Sequence, residues 1–227
     1  MNDSFIKPIL KKLLNIYRSI YVTFIKIRGR NNVVTIHKTT KHSINWNVEG
    51  DNNIVSIAEN CLIKNLTIYI RGAGHKIYIG NNVVIEGGEL WLEDNSCKIF
   101  IDDNTTVGSA HFAVTEPYRS ILVGKDCMLS DGIELRTGDS HSIFDIKTGC
   151  RINYAADIIL EDHVWIGGGA KILKGVIIGS NSIIGTGAIV TKSVPSNCLT
   201  VGVPARTVKL NVNWSRQRVY NPKNVDY

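Results

Sequence analysis

The chain has 227 residues, 44% of them hydrophobic and 20% charged, with only five prolines. This composition excludes a disordered or fibrous chain, and the lack of a long uninterrupted apolar run argues against a membrane-spanning helix. The formal charge of +6 belongs to residues 1–30, where seven Lys and Arg oppose only Asp3; the remainder is balanced, which excludes a nucleic-acid-binding surface on the body.

Taken in chain order, residues 1–30 come first. Lys7, Lys11, Lys12, Arg18, Lys26, Arg28 and Arg30 alternate with apolar residues such as Phe5, Ile9, Leu13, Tyr17 and Phe24. The pattern predicts an amphipathic helix, which either touches an anionic membrane surface or packs on the body or on a neighbouring subunit. Lys11 and Lys12 interrupt the apolar stretch and no small-residue cleavage site follows, so it is a poor signal peptide. Residues 31–50 fit no clear repeat and are expected to form an irregular first coil.

From Ile57 a phrase recurs, an apolar residue, two variable residues, then Asn or Asp: Ile57-Ala-Glu-Asn60, Ile79-Gly-Asn-Asn82, Ile101-Asp-Asp-Asn104 and Val123-Gly-Lys-Asp126. The step is 22 residues. Within each unit apolar residues recur every six, giving Ile57/Ile63/Tyr69, Ile79/Ile85/Trp91, Ile101/Val107/Ala113 and Val123/Leu129/Leu135 as the expected inward set. A second series has strict six-residue steps: Leu160, Ile166, Ile172, Ile178, Ile184 and Val190, with apolar or small residues two before each. A period of six is neither helical nor a simple strand alternation. It describes a short strand and a sharp turn, three of which close a triangular coil. Asn and Gly fall at the turns because both tolerate left-handed backbone angles. The expected architecture is mainly β: a parallel β-helix over 31–203, preceded by the helical segment 1–30 and followed by a C-terminal tail, 204–227.

The two series are out of phase, because Leu135 and Leu160 are not separated by a multiple of six. A loop must leave the coil over 136–157, and an excursion from a regular solenoid is where function is sought. It contains Arg136-Thr-Gly-Asp-Ser-His-Ser-Ile143. Five cysteines, with no Cys-x-x-Cys pair, argue for a reduced, cytoplasmic chain without a disulfide framework or zinc knuckle.

The hexads, the His-bearing loop, Asp162-His-Val-Trp-Ile-Gly167 and Val201-Gly-Val-Pro-Ala-Arg206 together resemble the hexapeptide-repeat acetyltransferases over about residues 50–210. The loop string is most similar to bacterial polysaccharide O-acetyltransferases, including those acting on capsular sialic acid polymers. The resemblance implies a left-handed parallel β-helix, a homotrimer, and acetyl-CoA bound in the groove between two subunits. His141 matches the catalytic base, and Trp165 the tryptophan 24 residues later. Gly168, Thr186, Thr191 and Lys192 match positions lining the CoA channel, and Arg206 and Lys209 the tail that meets the CoA phosphates. Two departures stand out: Gly167-Gly-Gly-Ala170, where a side chain is common, and the 22-residue period where 18 is usual.

A sugar hydroxyl is a poor nucleophile, and a histidine that removes its proton contributes about 10²–10⁴-fold. The tetrahedral oxyanion then needs a donor, for which backbone N–H groups near Gly168 or the Trp165 indole are candidates. Asp139, Asp145 or a backbone carbonyl could orient the imidazole. Trp165 precedes inward Ile166 and should face out of the coil, where it either lines the donor slot or packs against another subunit. His111 either lines the acceptor pocket or serves structurally. His37 and His42 have a spacing found in β-helical carbonic anhydrases, but they precede the clear coils, so no metal is expected. Gly138-Asp-Ser140 lacks the strand–turn–helix setting of a serine hydrolase. Cys127 and Cys150 flank the loop and are read as structural. The implied function is O-acetylation of a sugar hydroxyl on a bacterial surface or capsular polysaccharide, in the cytoplasm or at the inner face of the membrane. N-acetylation of an amino sugar and a non-catalytic assembly role are the alternatives.

Overall fold

The structure, a computed structural model, describes residues 26–220. The described chain is a parallel β-helix whose coils have three faces. Face 1 and face 2 form one 13-stranded sheet and face 3 a 7-stranded sheet. The strands Lys41–Glu49, Leu62–Arg71, Val84–Leu92 and Thr106–Val114 each cross the corner from face 1 to face 2. The strands Ile54–Ile57, Lys76–Ile79, Lys98–Ile101 and Ser120–Val123 lie on face 3. After the loop each face shrinks to two or three residues, as in Ile158–Leu160, Trp165–Ile166 and Lys171–Ile172.

Side-chain period and coil period together make the core. Leu160, Ile166, Ile172, Ile178, Ile184 and Val190 are all buried, as are Ile158, Val164, Ala170, Val176, Ser182 and Ala188 two positions before them. Identical positions stack coil on coil, so the interior is one continuous aliphatic column, and each fully buried Ile or Leu contributes about 1.5–3 kcal/mol. The recurring Asn explains itself at the corner between faces 3 and 1. Asn60, Asn82, Asn104, Asp126, His163, Asn181 and Asn197 all have φ between 52° and 62°, a conformation Asn and Asp adopt at little cost. Inward polar groups there and at the next corners satisfy turn backbone. Thr105 Oγ1 donates to the Gly124 carbonyl and accepts from the Cys127 N–H. His75, fully buried, accepts the Cys97 N–H at Nδ1 and pairs its Nε2 with the Arg71 carbonyl oxygen. Burial holds its pKa below the usual imidazole value.

Three expectations are corrected. Residues 26–30 are not helical: Lys26–Arg28 is a strand paired in parallel with 47–49. Its Ile27 packs against the core, and without it the long strand Lys41–Glu49 would be an open edge. There is no helix among the described residues; the rest of the expected helical segment, 1–25, lies outside them. Second, residues 31–50 do belong to the repeat, as a coil with the expected irregularity, a register shift between His42 and Ile44. Val33–Ile36 pairs with Ile54–Ile57 at an offset of 21, one short of the 22-residue step, which hides it from a search at fixed period. Third, Tyr69, Trp91 and Ala113 point outward. The in-out alternation breaks at the first corner, where only two residues separate buried Ile63 from buried Leu66, so face 2 turns its even-numbered Ile68, Leu90 and Phe112 inward. Leu135 does lie in the core, stacked on Phe112 rather than Ala113.

Candidate functional site

The excursion leaves the corner between faces 2 and 3. It is a short antiparallel ribbon, with Phe144 bridged to Arg151 and the Ile152 N–H donating to the Ile143 carbonyl. Asn153 holds its base. Its Oδ1 accepts from the Ile143 N–H at 2.7 Å, and its Nδ2 donates to the His141 carbonyl at 2.7 Å and to Asp139 at 2.8 Å. Two ion pairs tie the ribbon to neighbouring coils, Arg151 with Glu116 and Lys174 with Asp139. Burial pushes the Glu116 carboxyl up, but Arg151 and the Ala155 N–H outweigh it and hold its pKa below the usual range. Lys174 holds Asp139 low in the same way. Gly138 is required where it stands: a Cβ there would lie 2.5 Å from Thr115 Oγ1 and 3.4 Å from the Ala155 methyl.

His141 is exposed on this ribbon. Its N–H donates to the Asp139 carbonyl at 2.8 Å across Ser140, whose φ is +64°. A left-handed non-glycine residue in so tight a turn is costly, and such strain persists where the surroundings over-determine it. The backbone of His141 is thus fixed on both sides while its ring faces solvent. Neither carboxylate considered for orienting the ring does so. Asp139 serves Lys174 and Asn153, and Asp145 caps its own turn by accepting from Lys147, Thr148 N–H and the Thr148 hydroxyl. None of these anchors carries a local sequence signal: Asn153 ties the ribbon to itself, and Glu116 and Lys174 meet Arg151 and Asp139 only because folding brings other coils beside it. Asn153→Ala is expected to lower kcat about 10²-fold, the cost of displacing a reacting group by roughly 1 Å, with the acetyl-donor KM unchanged in steady-state assays.

The remaining matched residues fall into two groups. Trp165 lies on face 1, half-exposed, with its ring 6.0 Å from Trp214 of the tail. Gly168 and Thr186 stack one coil apart at the corner between faces 1 and 2, where the Gly187 N–H donates to the Gly168 carbonyl. The Gly168 N–H and the Trp165 indole N–H have no hydrogen-bond partner among the described residues. The whole width of face 2 separates this group from the corner that carries His141, and no hydrogen bond or ring contact joins them. Lys192 and Arg206 form the second group: both line a cavity of about 250 Å³ at the last coil, with Ala205 and Thr207. Thr191 adjoins Lys192 and is exposed, whereas Lys209 sits opposite Leu199 on the terminal strand and does not line the cavity.

The motif around Trp165 has structural work of its own. Asp162 accepts the Lys125 N–H, and His163 bridges Asp126 at 2.7 Å and the Trp214 carbonyl at 3.0 Å. Trp214 stacks on His163 with ring centroids 4.1 Å apart, and Arg216 reaches Asp126 and Thr106. The tail therefore runs back over the corner and packs beside Trp165.

His111 pairs with Glu89 at 3.1 Å and lines two clefts on face 2. Among the described residues the His37 ring bonds only Thr39, and no group of three potential metal ligands occurs. Cys127 is fully buried and its thiol is pushed up to about 12 by burial, so it is no acyl carrier; Cys150 is exposed at the ribbon tip.

Residues 157–192 match the bacterial transferase hexapeptide (six repeats) family. A polysialic acid O-acetyltransferase of Neisseria meningitidis is 35% identical over 149 residues, covering 65% of this chain and 68% of that protein. Another, from Escherichia coli O1:K1 / APEC, is 40% identical over 112 residues, 49% of this chain but 36% of that protein. The chain thus matches about a third of one relative and two thirds of the other. The crystallographic structure of the polysialic acid O-acetyltransferase OatWY superposes with a TM-score of 0.80 at 33% identity, over 87% of this chain and 95% of that one. The solenoid, the looped histidine and these likenesses agree: the chain belongs to the hexapeptide-repeat acetyltransferases and is an acyltransferase.

Proposed function

We propose that the chain transfers the acetyl group of acetyl-CoA to a hydroxyl of a bacterial surface polysaccharide, with polysialic acid as the first acceptor to test and His141 as general base. The observation that carries the reading is the His141 ribbon, a strained, multiply anchored excursion that presents one solvent-facing imidazole. Two relatives that bear the name polysialic acid O-acetyltransferase support the acceptor class.

In this reading the His141 imidazole takes the acceptor hydroxyl proton as the oxygen attacks the thioester carbonyl. The Gly168 N–H or the Trp165 indole N–H donates to the oxyanion. Collapse expels the CoA thiolate, which takes the proton back from the imidazolium. These groups lie at different corners of one protomer, so a complete site needs a second copy. The ribbon supports this: Ile143, Phe144, Ile146, Ile152 and Tyr154 are all more than half exposed, an apolar surface of the kind that marks an interface. We infer a homotrimer of left-handed coils in which each ribbon meets face 1 and the adjoining corner of the next subunit. The reaction belongs in the cytoplasm, where acetyl-CoA is made.

Incubation with acetyl-CoA and polysialic acid should release CoA thiol and add acetyl mass to the glycan. Release only with amine acceptors would overturn O-transfer. The doubly substituted Lys192→Ala/Arg206→Ala chain should raise the acetyl-CoA KM about tenfold, as for loss of charge-assisted phosphate contacts, with kcat unchanged. An unchanged KM would remove both residues from the donor site.

A further inference from the structure

The outward side of face 2 carries a column of side chains, one per coil, in strict register: Tyr69, Trp91, Ala113, Arg136. Side chains at matched positions of parallel strands stack along the helix axis, and two of these do so. The Tyr69 and Trp91 rings lie 3.7 Å apart at 16°. One face of Trp91 is thereby covered. Its other face looks along the axis over Ala113, whose methyl is too short to fill the next place in the column. Arg136 stands two strand spacings away, about 9.5 Å between backbones. The result is a slot with an indole plane as one wall, a guanidinium as the other and a methyl as floor. It encloses about 140 Å³. His111 and Thr115 form its sides, and the Thr115 Oγ1 is buried with no hydrogen-bond partner among the described residues. Ser140, the residue before His141, stands at its rim.

We propose that this slot holds one pyranose unit of the acceptor, its apolar face on Trp91 and its carboxylate on Arg136. The inference rests on the glycan-acceptor reading above and names the residues that select the sugar. An indole plane beside a cation fits a ring that is apolar on one face and anionic at one substituent. The Glu134 carboxylate bonds Arg136 at 2.9 Å but is shared with Lys171 at 2.7 Å, so it does not occupy the Arg136 guanidinium alone. Glu93 on the slot wall offers an acceptor for sugar hydroxyls. The position explains why the slot opens beside His141: a unit seated there brings its hydroxyls to the imidazole.

The test is steady-state kinetics of the full-length protein with acetyl-CoA and a short sialic acid oligomer, compared with its carboxyl-reduced form. Ala113→Leu fills the slot and Trp91→Ala removes its platform. Each should raise the acceptor KM about tenfold or more, with the acetyl-CoA KM unchanged and the fold retained by circular dichroism, while Trp91→Phe stays near wild type. Arg136→Gln should weaken the charged oligomer and leave the reduced one unaffected. Unchanged acceptor KM in Ala113→Leu and Trp91→Ala overturns the slot while acetylation itself stands. Equal losses on both oligomers with Arg136→Gln overturn the carboxylate contact. A wild type that acetylates no glycan overturns the slot together with the reading beneath it.

Discussion

His141→Ala is expected to lower turnover about 10²–10⁴-fold, the usual worth of a positioned general base, without changing the melting temperature. The side chain is exposed and its ring makes no hydrogen bond among the described residues, so its removal leaves no buried group there unpaired. The contacts that shape the turn all use backbone: the His141 N–H to the Asp139 carbonyl and the His141 carbonyl to Asn153. Alanine preserves both. The loss must therefore fall on the chemical step, and it should appear in kcat with little change in the KM for acetyl-CoA. Circular dichroism and thermal melting of the variant check the fold, and thiol release checks the rate. Full turnover by His141→Ala would remove the imidazole from the mechanism even if the protein acetylates.

The largest loss of stability is expected from Gly72→Ala. Gly72 turns the corner from face 2 to face 3 with φ +119°, a region that L-residues avoid. A Cβ there would lie 1.7 Å from the Asp94 carbonyl oxygen of the next coil, and that oxygen cannot move without parting two strands. Gly50 has the same problem against the Gly72 carbonyl, at 1.8 Å. Backbone strain of about 1–3 kcal/mol and forced overpacking of about 1–3 kcal/mol add to about 4 kcal/mol for Gly72→Ala. Gly169→Ala provides the contrast. Its φ is +69°, but no atom lies within 4 Å of the added Cβ, so the left-handed cost of about 1–2 kcal/mol stands alone. Denaturant unfolding of both variants measures the difference. Equal losses would show that close stacking of coils does not govern this corner.

Much of the fold is legible because a solenoid repeats its constraints. One inward residue per six and one left-handed turn residue per coil leave a periodic trace, so Leu160 through Val190 and their partners could be assigned to the core from spacing alone. The same reasoning misplaced Tyr69 and Trp91. Hexad counting assumes that every corner has the same number of residues, and the corner at Lys64 and Asn65 has one fewer: two residues separate inward Ile63 from Leu66, where three separate Ile166 from Ala170. That missing residue reverses which residues of face 2 point inward, and it is what sets an aromatic wall outside. The phase break between Leu135 and Leu160 located the excursion, since a loop must absorb it. What holds the excursion was not legible. Lys174 and Glu116 meet Asp139 and Arg151 only across coils, Asn153 closes the ribbon on itself, and no local pattern announces either meeting. The matched donor residues likewise divided: Lys192 and Arg206 share a cavity, while Gly168 and Thr186 stand at a corner far from both.

The proposed site for acyl transfer forms where the His141 ribbon of one protomer meets the Trp165 side of the next. A crystal structure with bound CoA tests it most directly. The expected result is the thiol within about 4 Å of the His141 ring, a hydrogen-bonding distance or slightly beyond, with the pantetheine arm lying along Trp165, Gly168 and Thr186 of the partner subunit. CoA held wholly within one protomer, or with its sulfur remote from His141, would contradict it.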